Sequence, residues 1–75
     1  MEDGVERRIL EEMAKRLVAK RSELVKSIQK ERDIPKSVIT SVTKTLLQRG
    51  LLASVYSSET TYAITQKGMR EVSRF

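Results

Sequence analysis

Apolar residues recur every four positions at the start of the chain: Val5, Ile9, Met13 and Leu17, with Leu10 beside them. That spacing keeps one face of an α-helix apolar and predicts a helix from about Val5 to Lys20. Asp3 or Gly4 is placed to cap it, and Glu6 falls in the first turn, where the helix dipole favours an acid. Val18 lies off the stripe and is available to a partner. Ser22 reads as the next N-cap, opening "SELVKSIQKER" with Leu24, Val25 and Ile28 as its apolar side, and this short helix ends near Arg32. "RDIP" follows as a turn, since Pro35 disfavours helix at Ile34 but suits the first turn of a new helix. The third helix, Pro35 to Arg49, stops at Gly50, which supplies a left-handed cap.

Beyond Gly50 the period changes to two. Leu51, Ala53 and Val55 alternate, and so do Tyr62 and Ile64 beyond "SSET". A turn centred on Ser58–Glu59 sets Val55 opposite Tyr62 and Ala53 opposite Ile64, so the apolar residues share one face of a β-hairpin over 51–65. Met69, Val72 and Phe75, three apart, predict a short closing helix. Thr65 can cap it through an N–H of Lys67 or Gly68, and Gly68 lets it approach its neighbour closely. An isolated hairpin is marginal in water, so this one must pack on the helices. The order is helix-helix-helix-strand-strand-helix: a mainly α fold with a small β-hairpin (α+β), in one domain over residues 1–75.

These motifs resemble the winged helix-turn-helix DNA-binding domains of small bacterial and archaeal transcriptional regulators. The residues that carry the likeness are "SELVKSI", "IPKSVITSVTKTLLQRGLL" and "YAITQKG". In that family a helix ending in Leu-x-x-x-Gly-Leu precedes the wing, here Leu46, Gly50 and Leu51. The second wing strand ends in an aromatic or basic residue, then Leu or Ile, Thr and Lys-Gly, here Tyr62, Ile64, Thr65, Lys67 and Gly68. The likeness covers nearly all of residues 5–75 and implies a third helix that reads the major groove, with the hairpin as a wing. It leaves no room for an effector domain, so no small-molecule ligand is expected.

Charge changes the picture through its layout more than its total of +5. Five acids against Arg7 and Arg8 give residues 1–13 a net of −3; ten bases against Glu23, Glu31 and Asp33 give residues 14–49 a net of +7. A basic middle of this kind attracts polyanions. On the helical wheel Val38, Ile39, Val42 and Leu46 form the core side of the third helix, and Ser37, Thr40, Ser41, Lys44 and Gln48 the opposite side, with Lys36 at the N-terminal end. Any surface helix has a polar face. Ser and Thr are mediocre helix formers, however, and this helix has no acid from Pro35 to Arg49, which favours a DNA-facing surface. Arg21, Ser22 and Lys26 at the second helix are candidates for phosphate contacts, with Lys67 a further one. In the wing, Tyr56, Ser57, Ser58, Thr60 and Thr61 are the candidates. The tip has no Lys or Arg and includes Glu59, which argues against deep insertion of a basic wing in the minor groove.

Composition narrows the alternatives. With no Cys and no His, disulfides, the usual zinc sites and most nucleophile–base pairs are excluded, so neither an enzyme nor a metal or cofactor is expected. No apolar run is long enough to span a membrane or to act as a signal peptide, so the expected compartment is the cytoplasm. The absence of Asn, with much Lys, Arg and Glu, fits a thermophilic source. Leu10, Val18 and Phe75 are surplus apolar residues that predict a homodimer interface on the first and last helices. The expected function is a sequence-specific double-stranded DNA-binding regulator, a repressor acting by promoter occupancy. Two alternatives stand beside it: a protein-interaction winged helix in a larger assembly, and a non-specific chromatin or plasmid-maintenance protein.

Overall fold

The structure, a computed structural model, describes residues 2–55 and 59–75, with side chains from residue 4 onward. In chain order the elements are α1 (Glu2–Arg16), β1 (Val18–Lys20), α2 (Arg21–Glu31), α3 (Lys36–Gln48), β2 (Leu52–Val55), β3 (Thr61–Ile64) and α4 (Gln66–Ser73). This is a mainly α, α+β winged helix-turn-helix architecture. Among the described residues no helix is long and apolar enough to cross a membrane.

Ile9, Leu10 and Met13 of α1 meet Leu24 and Ile28 of α2, Ile39 and Leu46 of α3, and Leu51 in one buried cluster. Each such side chain contributes about 1.5–3 kcal/mol by leaving water. The first helix departs from expectation at both ends. Asp3 and Gly4 lie inside it and do not cap it. At its C-terminus Leu17 takes φ 68°, a left-handed conformation that ends the helix, while its N–H donates to the Met13 carbonyl at 2.7 Å. Leu17 is therefore 55 % exposed and outside the core.

Residues expected to finish α1 instead form β1, which pairs antiparallel with β3 (Val18↔Ala63, Ala19↔Tyr62, Lys20↔Thr61). The sheet order is β1-β3-β2, so the hairpin is anchored through a third strand. The β2–β3 register also differs from expectation by one residue: Leu52 faces Ile64, and Ser54 faces Tyr62. The cause lies at the end of α3. Gly50, at φ 77°, donates to the Leu47 carbonyl, and Leu51 N–H donates to the Leu46 carbonyl at 2.9 Å, a Schellman closure. Leu51 is thereby tucked under the helix before the strand starts. A one-residue shift exchanges the two faces of a strand, so Leu52 is buried and Val55 exposed.

The N-terminus of α2 lies two residues earlier than expected. Lys20 is the N-cap, its N–H donating to the Glu23 carboxylate at 3.0 Å, and Ser22 sits within the first turn. At α4 the expected cap is present: Gly68 N–H donates to Thr65 Oγ1 at 3.0 Å.

Candidate nucleic-acid interface

The third helix is seated firmly before any of its outward residues matter. Ile39, Val42, Thr43 and Leu46 are buried along its inner side, and the Thr43 hydroxyl is satisfied by donating to the Ile39 carbonyl at 2.7 Å. Thr43 takes the place expected for Val38, which is 37 % exposed because it falls at the margin of the buried stripe. Two polar contacts fix the C-terminal end: Arg49 donates to Glu6 of α1 at 2.7 Å, and Lys67 Nζ donates to the Arg49 carbonyl at 2.9 Å. A cation at a helix C-terminus is favourable. Lys67 is thus engaged in the fold through one of its three donors, and its ammonium remains exposed.

The outward side carries Lys36, Ser37, Ser41, Lys44 and Gln48, all exposed, with Thr40 half-buried. Lys36 and Lys44 have no ion pair among the described residues. Thr45, exposed at the side, donates to the Ser41 carbonyl at 3.3 Å. This face presents hydroxyls, an amide and two ammonium groups, with no acid between them. It can donate to phosphate oxygens and to guanine acceptors, and the hydroxyls can also accept.

Beside the start of α3 lies an open groove of about 350 Å³ lined by Arg21, Ser22, Lys36, Glu59 and Thr60. The fold brings three chain segments together here: the start of α2, the start of α3 and the return of the hairpin. The Arg21 N–H is used up in building it, donating to the Thr60 carbonyl at 2.9 Å. What α2 offers the groove is therefore the Arg21 guanidinium and the Ser22 hydroxyl. Lys26 is not part of this grouping. It is exposed, but it lines a separate depression with Arg16, Glu23, Ser27 and Lys30.

Tyr56, Ser57 and Ser58 lie outside the described residues. Thr61, expected on the wing surface, is buried, and its hydroxyl donates to the Glu59 carbonyl at 3.1 Å. Lys20 is a charge that the pattern reading missed. Its Nζ lies 3.7 Å from Glu59 Oε1, brought there by the pairing of β1 with β3. No local signal marks that contact, since it depends on a strand formed by long-range pairing.

Glu12 of α1 and Glu31 of α2 are answered by arginines away from this face. Glu12, which is buried, accepts from Arg16 at 2.7 Å and from Arg8 at 2.9 Å. Arg8 also donates through Nε to Glu31 at 2.6 Å, joining α1 to α2. The hydrogen bond from Arg16, helped by Arg8, holds the Glu12 carboxyl below the usual glutamate range. Arg8 does the same to Glu31, and its own pKa rises further above the usual arginine range. With these acids compensated, the positive charge of Arg21, Lys36 and Lys44, which has no ion pair among the described residues, is left on the groove and α3.

Of the residues expected at a dimer contact, Leu10 is only 1 % exposed and belongs to the core of the single chain. Val18 is 53 % exposed on β1, an edge of the sheet. Phe75 is also exposed, with the Arg7 guanidinium 4.9 Å from its ring centroid.

No protein-family model and no curated protein sequence matches the chain. Among solved structures, a transcriptional regulator from Clostridium thermocellum is similar with a TM-score of 0.81 and 23 % sequence identity, over 93 % of this chain and 74 % of that one. At that identity the likeness is one of fold: this chain shares the architecture of a bacterial transcriptional regulator.

Proposed function

We propose that the chain binds double-stranded DNA as a sequence-specific transcriptional regulator, a repressor that acts by occupying its site. In this reading α3 lies in the major groove and the 51–65 hairpin serves as the wing. The observation that carries it is the acid-free outward side of α3, where Lys36, Ser37, Ser41, Lys44 and Gln48 are exposed on a helix held rigidly from beneath. The shared fold with a transcriptional regulator supports it. Lys36, Lys44 and Gln48 would meet base edges and phosphates, while Arg21 and Ser22 would position the backbone at the groove. Exposed Val18 and Phe75 would contribute to a homodimer, whose two reading helices would stand about 34 Å apart on a palindromic site.

Exposed apolar residues also favour a second reading, a protein-interaction winged helix, for which the polar side of α3 would be unimportant. Salt titration of duplex binding separates the two. A DNA-binding surface of several cations loses affinity steeply between about 50 and 200 mM salt. Absence of duplex binding at low salt would remove the DNA-binding reading.

A further inference from the structure

An acid stands in the corner where the proposed interface is otherwise basic. Glu59 lines the groove with Arg21, Ser22, Lys36 and Thr60, and its Oε1 lies 3.7 Å from Lys20 Nζ. Both side chains of that ion pair are about half exposed. Exposed pairs of this kind add little to stability, since water screens the attraction and ordering two long side chains costs entropy. The carboxylate also faces whatever approaches the groove.

We infer that Glu59 restrains phosphate binding: it holds the Lys20 ammonium and withdraws one cation from the set offered to a DNA backbone. The inference rests on the DNA-binding reading above and names a residue that sets its strength. Lys20 directly precedes Arg21 and is fixed beside the groove by β1, whose register places it opposite Thr61. With the Glu59 charge gone, the Lys20 ammonium joins Arg21 and Lys36 around one cleft. Each cation that meets a phosphate releases counterions and steepens the salt dependence of binding. Phosphate contacts carry no direct sequence information, so the restraint acts alike on every duplex. It holds down occupancy of the many non-specific sites while leaving base discrimination to α3.

The test is duplex binding by the full chain across about 50 to 200 mM salt, for the wild type, Glu59→Gln, Lys20→Ala and the double variant. Both a random duplex and one selected for tight binding are used. Glu71→Gln, on α4 and outside the groove, controls for net charge. Glu59→Gln is expected to steepen the slope of log affinity against log salt by about 0.9, so that its advantage at the low-salt end exceeds that at the high-salt end roughly threefold. Lys20→Ala is expected to change little alone and to abolish the gain in the Glu59→Gln background. An unchanged slope in Glu59→Gln, an equal effect from Glu71→Gln, or an effect on the selected duplex alone would each overturn the inference while leaving the DNA-binding reading intact. Failure of the wild type to bind any duplex would overturn both.

Discussion

Gly68 stands so close to Ile64 that a Cβ on it would lie 2.7 Å from the Ile64 Cγ1, and the same Cβ would fall inside the contact distance of the Leu51 carbonyl. Backbone contact at that point is how α4 locks the end of the hairpin onto the end of α3. Thr65 reinforces it, capping Gly68 N–H and offering its own hydroxyl hydrogen to the Gly50 and Leu51 carbonyls at 2.7 and 3.0 Å. Alanine in a helix normally gains about 1 kcal/mol over glycine. Here the clash with backbone is expected to outweigh it, and Gly68→Ala should destabilise the chain by about 2 kcal/mol. A lowered urea midpoint with an unchanged slope would show this, and an increase in the midpoint would refute the packing argument.

The ion cluster of Arg8, Glu12, Arg16 and Glu31 gives a pH dependence of definite sign. Glu12 and Glu31 have folded pKa values below the ordinary range. Their contribution is therefore complete above the unfolded value of about 4.3 and lost as pH falls through the folded values. Stability in urea should decline from neutral pH toward pH ~3 for this reason. Glu12→Gln should cost about 2 kcal/mol at neutral pH, because it leaves two arginines with a weakened partner in a mostly buried setting. Its loss of stability on acidification should be shallower than that of the wild type.

Leu17 is the described non-glycine residue with positive φ. A left-handed leucine costs about 1–2 kcal/mol, part of which glycine returns as unfolded-state entropy. Since the side chain is largely exposed, Leu17→Gly should stabilise the chain by about 0.5 kcal/mol. Thermal melts provide the check; a clear fall in Tm would mean that the leucine packs in a way its exposure does not indicate.

The same residue shows what was legible in the sequence and what was not. The four-residue stripe of α1 runs straight through Leu17, and leucine gives no hint of a left-handed turn, so β1 was absorbed into the helix. Pairing with β3 decides that segment, and such pairing is a tertiary effect. The hairpin was legible from its alternation, but its register was not, because the closure at Gly50 and Leu51 consumes one residue before β2 begins. Local chemistry was easier. The Thr65 cap and the close approach at Gly68 followed from side-chain size and hydrogen-bonding capacity. So did the polar row of α3, apart from the exchange of Val38 for Thr43 at the edge of its buried side. The opposition of Lys20 and Glu59, which needs both β1 and the register, was out of reach.

Lys44 lies midway along the exposed row of α3 and has no ion pair among the described residues. Lys44→Ala should lower affinity for a selected duplex by about tenfold, the value of one good base or phosphate contact. Lys15→Ala, which removes an exposed lysine from α1, should change it far less. Equal losses in the two variants, measured by fluorescence anisotropy, would indicate a diffuse charge effect with no reading helix.

The most direct measurement is selection of bound sequences from a random duplex pool by the intact protein, followed by sizing of the complex. If α3 reads DNA, a recurrent motif should emerge after a few rounds, arranged as two inverted half-sites about one helical turn apart and bound by two copies. Recovery of a pool with no preferred sequence, bound no better than the starting duplexes, would contradict the proposed function.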